Sequence, residues 1–242
     1  PKDFELIELL FLSYDNQNLL NLLLKKEEEK FIERGRYSEE YLNEQIKDPE
    51  DIIPYLRDFI IHFKDENSTN EKISWKNQLT EKYYNFLLSQ RNEFVNQWFT
   101  FELNLKNIQT AINCRKHNQP VNNQLIGDNY IVDSIKKSTA KDFGLGHDFS
   151  YIEKLLQIYE DENLYQRERE IALLKWEWLD ENTFFHYFTI EKVFAYTVKL
   201  GMVDRWATFD KETGKEMFDK LIKDLVGSFE FPEEFNVVKT NS

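Results

Sequence analysis

NLKNIQTAI, residues 104–112, restates the pattern of DNQNLLNLL, residues 15–23. Aligned, Asn104 stands on Asp15, Asn107 on Asn18, Ile108 on Leu19, Ala111 on Leu22 and Ile112 on Leu23. An acid or amide followed three positions later by Asn places both polar groups on one helical face. Asn is a mediocre helix former. Its use at matched positions therefore predicts side-chain hydrogen bonds to a neighbouring helix or loop, and the two motifs together predict a duplicated helical unit rather than a catalytic motif.

The residues around the second motif extend the helix reading. Leu87, Arg91, Phe94, Trp98, Phe101, Leu105, Ile108, Ile112 and Arg115 step by four and three in turn. That is a seam of about 3.5 residues per turn, as in antiparallel bundles. With Ser74 as cap, one helix is expected to run from there to Lys116, roughly 60 Å at 1.5 Å per residue. Other expected helices are Phe4–Leu24, a short one capped by Ser38, one opened by Asp48-Pro49 and reaching Lys64, and Ile131–Ser138. Phe149–Tyr159, Leu164–Asp180, Ile190–Leu200 and Lys211–Val226 complete the set. With 7 Gly and 5 Pro in 242 residues, turns are few and elements long. No alternating run predicts a strand. The expected fold is all-α: an elongated multi-helix bundle of repeated units around one very long helix.

Charge and composition divide the chain into an N-terminal helical unit at 1–70, expected to be truncated at its start because the first residue is Pro1, a long central helix with a following short one at 71–147, and a C-terminal helical unit at 148–242. The net charge is -13, which argues against a nucleic-acid surface. Within that acidic total, residues 71–147 carry 10 basic and 7 acidic side chains. They are either solvated helix faces or a surface that receives an acidic partner or the chain's own acidic flanks. One cysteine, Cys114, precludes an intramolecular disulfide and fits a reducing compartment. No apolar run approaches the ~20 residues that span a bilayer, and no signal peptide is visible.

No catalytic or metal-binding constellation emerges. The histidines at 62, 117, 147 and 186 are scattered, without the spacing of zinc or di-iron sites. Glu160, Asp161 and Glu162 belong to a run whose Arg167 and Arg169 suit a salt-bridged solvent face. A helical enzyme using those acids beside an aromatic pocket is the third reading of the chain. Cys114 reads as a packed thiol. Arg115, on the apolar seam, needs either an acid from the C-terminal helices (Glu177, Asp180 or Asp204) or an exposed helix end. FFHYFTIEKVFAYTVKLGMVDRW, 184–206, concentrates aromatics that are expected mostly in the core, with a contact patch as the alternative.

FELNLKNIQTAINCRKHN, followed by NNQLIGDNYIVDSI, resembles a region of the V/A-type ATPase C-subunit family in which an acid precedes an Asn-Leu helix ending in Arg. YFTIEKVFAYTVKLGMVDRW is similar to that family's last repeat, with Leu200 where Glu is usual and Arg205-Trp206 in place of Asn-Leu. Nearly the whole chain resembles an uncharacterised bacterial family, a domain of unknown function encoded beside V-type ATPase genes. The resemblance marks Asp15, Asn18, Glu102, Asn104, Asn107 and Arg115, with Tyr196 and Lys199 of the last repeat, as structural or interaction residues. It implies a non-enzymatic part without metal or cofactor. Its expected partners are the central-stalk subunits and the membrane rotor ring, and its expected place is the cytoplasm, peripheral on the cytoplasmic face of the membrane. A soluble helical scaffold unrelated to the ATPase is the competing reading.

Overall fold

A computed structural model describes residues 2–26, 28–65, 73–147, 149–209, 215 and 218–223. The described residues form helices and connecting loops, with no strand among them. The polar stretch at 66–72 and most of the expected helix over 211–226 lie outside the described residues.

Two compact units divide the chain, Pro1–Asn182 and Thr183–Ser242. In the first, α1 (Lys2–Glu8) and α2 (Leu12–Leu23) replace the single helix expected over Phe4–Leu24. α3 (Glu39–Lys47) starts at Ser38, whose hydroxyl accepts from Tyr41 N at 3.2 Å. α4 (Pro54–Lys64) begins later than Asp48-Pro49 suggested. Pro54 takes the first helical position, where its missing N–H costs nothing.

The largest departure falls on the expected long helix. It is two helices, α5 (Trp75–Leu88) and α6 (Glu93–Lys116). Four polar residues, Ser89 to Asn92, interrupt it. Asn92 accepts Val95 N at 3.0 Å and so caps a new helix, while Ser89 Oγ and Gln90 Nε2 donate back to Phe86 O at 2.7 and 2.9 Å. Such side chains offer the backbone partners that compete with helix continuation. Leu87 and Phe94 are both buried across the break, so the apolar stripe survives although the helix does not.

α7 (Tyr130–Lys137), α8 (Ile152–Glu160) and α9 (Leu164–Asn182) complete the first unit. α6 is its axis: α5, α7 and α8 pack against it. Trp178 of α9 joins it through an aromatic cluster, 5.5 Å from Trp98 and stacked at 5.1 Å on Phe101. Offset and stacked rings of this kind add to the stabilisation from burial alone.

The second unit contains α10 (Ile190–Phe209), in which Phe194, Ala195, Val203 and Trp206 are buried. No helix among the described residues is long and apolar enough to cross a membrane.

Candidate functional site

The two Asn motifs make the same contact. Asn18, on α2, donates from Nδ2 to Ile32 O at 2.9 Å and accepts Ile32 N at 2.9 Å. Asn107, on α6, donates to Ile126 O at 2.9 Å and accepts Ile126 N at 2.8 Å. Each carboxamide closes a two-bond ring on one residue of the loop that follows its helix. A planar amide with a donor beside an acceptor matches the N–H and C=O of a single residue in this way, and Asn and Gln side chains offer such a pair. Asn18 is 1% exposed and Asn107 0%. At Ile126, which is buried, the loop N–H and C=O depend on the side chain, since a buried backbone group must find a partner, whereas Ile32 is half-buried.

One turn earlier, the paired positions again do related work. Asp15 accepts Arg36 N at 3.0 Å and Tyr37 N at 3.2 Å, immediately before the Ser38 cap of α3. Asn104 accepts Asn129 Nδ2 at 3.0 Å, and Asn129 is itself the cap of α7, accepting Val132 N at 3.0 Å. Helix, loop and next helix are thus tied twice in each module, and in each the two helices pack together. Asp15 is fully buried. Burial pushes its carboxyl above the ordinary range, and the Arg36 and Tyr37 N–H groups with the Arg36 charge offset part of the rise. Arg36 also pairs with Glu8 at 3.1 Å.

Sequence reasoning marked the helical half of each clasp and missed the loop half. Ile32 and Ile126 are apolar residues that follow another apolar residue, Phe31 or Leu125, inside otherwise polar loops. That was the available signal.

Glu102 meets Lys175 at 2.8 Å and ties α6 to α9. Arg115 meets carbonyls rather than an acid of the C-terminal helices: its guanidinium donates to Ser138 O at 2.8 Å, to Lys141 O at 3.3 Å and to Ala140 O. It also lies 3.8 Å over the ring of Phe143, whose backbone is left-handed at φ 57°. Glu177, one of the acids expected opposite it, pairs instead with Lys154 at 2.6 Å. A planar fork suits several carbonyls at once, and stacking on a ring adds to it. Arg115→Leu should therefore cost about 1–2 kcal/mol, a fall in Tm of about 3–6 °C by differential scanning calorimetry. An unchanged Tm would mean that water replaces the guanidinium.

Tyr196 and Lys199 lie on α10 in the second unit, Lys199 buried and Tyr196 half-buried. The expectation that the aromatics of 184–206 are mostly core fails at its start. Phe184, Phe185, Tyr187 and Phe188 are 62%, 84%, 54% and 86% exposed, whereas Phe194 and Trp206 are buried. The loop between α9 and α10 carries the four exposed rings, and a cluster of that kind is a surface that another molecule could cover.

Glu160 pairs with Lys141 at 2.9 Å, and Asp161 accepts Asn163 N at 2.8 Å. Among the described residues no group of three or more His, Cys, Asp or Glu is placed to hold a metal ion. Cys114 is free and buried, and burial pushes its thiol up.

A family model described as "Protein of unknown function (DUF2764)" matches residues 1–228. The chain belongs to that family. No curated protein and no solved structure matches it.

Proposed function

We propose that this DUF2764 protein is a non-catalytic, C-subunit-like component of a V/A-type ATPase, which links the central stalk to the membrane rotor ring or assists its assembly. One observation carries the reading: the reciprocal Asn-to-Ile clasp occurs twice, at Asn18 and at Asn107, on matching sequence motifs. A helix–loop–helix module used twice, with its loop tied down by a buried amide, is a stiff adaptor. Stiffness is what a coupling part requires. The polar residues at the matched positions spend their hydrogen bonds on the module's own loops, which is a structural employment. The resemblance to the C-subunit family supplies the ATPase, and the exposed aromatics of 184–188 supply a surface for a neighbouring protein.

The same aromatic surface also suits a scaffold that binds a protein outside the ATPase, and one experiment separates the two. Tagged protein should co-purify with the rotor ring from membranes solubilised in mild detergent, and should bind purified stalk subunits. Replacing Phe185 and Phe188 by Ser should weaken that capture by tenfold or more, because buried aromatic anchors dominate interface energies at about 2 kcal/mol or more each. Absence from intact complexes, together with no binding to the stalk subunits, would leave only the scaffold reading.

A further inference from the structure

A chain with a net charge of -13 nonetheless gathers lysines around one cleft. The cavity encloses about 400 Å³ between α2, α5 and α6, within the range of small-molecule sites. Lys26, Lys76 and Lys106 line it from three separate segments of the chain, with Glu29 the one acid among the described lining residues. A second cavity of about 450 Å³ shares Lys26, Asn21 and Glu29 with the first and adds Lys25 and Lys30, with Glu39 as its other acid.

Among the described residues neither Lys76 nor Lys106 forms an ion pair. Glu102, the acid nearest Lys106 along α6, is engaged by Lys175 at 2.8 Å. Lys106 is half-buried. Burial lowers its basicity first, Lys76 and Lys175 lower it further, and Glu102 opposes them. Like charges held together in a partly desolvated cleft repel one another, and an arriving anion relieves that repulsion. The rest of the wall is suited to a small organic body. Tyr83 and Tyr84 offer ring surface and Gln17 an amide.

We infer that this cleft binds a small phosphate-bearing ligand, its dianionic phosphate on Lys76 and Lys106 and its organic part against Tyr83 and Tyr84. Among the described lining residues three lysines stand against one glutamate, an excess of positive charge that suits a phosphate monoester dianion. Lysine ammonium groups bind phosphate as point charges and need no planar fork. The inference goes beyond the coupling role proposed above and stands on different residues: the cleft could be lost with the Asn clasps intact, and the reverse.

The test is calorimetric titration of the full chain with ribose 5-phosphate, with ribose as the neutral control and inorganic phosphate for the charge alone. Ribose 5-phosphate should bind with a Kd of about 1 mM or tighter, inorganic phosphate more weakly and ribose not at all. Lys76→Met, at an exposed position that does not threaten folding, should weaken binding about fivefold, and Lys106→Met about tenfold or more, because each removes a charge-assisted contact. Lys136→Met and Lys137→Met, on α7, should leave it within about twofold. Vesicles containing a phosphatidylinositol phosphate, compared with phosphatidylcholine alone, decide the source. Capture by the former, lost in Lys76→Met, would assign the phosphate to a lipid headgroup. No saturable binding of either phosphate source, or equal weakening in all four variants, overturns the inference.

Discussion

Asn107→Ala should destabilise the first unit by about 3 kcal/mol, among the larger effects of any single truncation in this protein. The substitution removes the partners of both the N–H and the C=O of Ile126, bonds of 2.9 and 2.8 Å. Ile126 is 3% exposed and Asn107 0%, so water has no ready access to the orphaned N–H and C=O. Each unsatisfied buried group costs about 1–3 kcal/mol. Asn18→Ala removes the same two bonds from Ile32, which is only half-buried; there water replaces part of the loss, and the expected cost is about 1–2 kcal/mol. The order of the two variants therefore tests burial as the cause. Asn107→Asp should be at least as damaging as the alanine, since it sets a carboxylate against the Ile126 carbonyl. Urea denaturation followed by tryptophan fluorescence reads all three, because Trp98, Trp176 and Trp178 are buried in this unit. Asn107→Ala within about 1 kcal/mol of the parent would show that the clasp is decoration.

That contact was half legible. Periodicity gave the helix, and the paired Asn residues gave a prediction of side-chain bonds to a neighbouring helix or loop; both amides go to a loop. The receiving residues were hidden because the connecting loops differ in length: Ile32 follows Asn18 by 14 positions and Ile126 follows Asn107 by 19. No single spacing rule finds both. The all-helical class was plain from the scarcity of Gly and Pro. The break at Ser89–Asn92 was not, for a physical reason. Leu87 and Phe94 are seven positions apart, two turns of a seam, so an interruption that replaces a whole number of turns leaves the pattern in phase. Asn92, followed by Glu93, opens the new helix as its cap.

The aromatic run taught the opposite lesson. Composition treats every Phe as core, yet FFHYF at 184–188 has no helical period, and its four aromatic rings are exposed. Phe194 and Trp206, which sit on a helix, are buried. Arg115 took the second expected route, an exposed helix end, and there carbonyls of a nearby loop serve its guanidinium in place of an acid. Sequence lists acids and does not reveal where main-chain carbonyls will converge.

Gly35→Ala should cost about 2–4 kcal/mol, and the cause can be isolated. A Cβ at residue 35 would stand 2.3 Å from Asp15 Oδ1 and 3.1 Å from its Cγ. Ordinarily a side-chain oxygen can swing aside. Here the carboxylate is fully buried and fixed by the N–H groups of Arg36 and Tyr37 at 3.0 and 3.2 Å. Moving it breaks both bonds and strands a charge in a buried site. The glycine is therefore required by close approach rather than by backbone angle. Gly201 on α10 is the control: a Cβ there meets nothing within 4 Å, and Gly201→Ala should raise stability by about 0.5–1 kcal/mol through helix propensity alone. Asp15→Ala, which removes the carboxylate, should be harmful by itself because it orphans two N–H groups. In that background, however, Gly35→Ala should cost less than about 1 kcal/mol, giving a coupling of about 2 kcal/mol between the two positions by urea denaturation. If the two costs simply add, Gly35 is held by something other than Asp15.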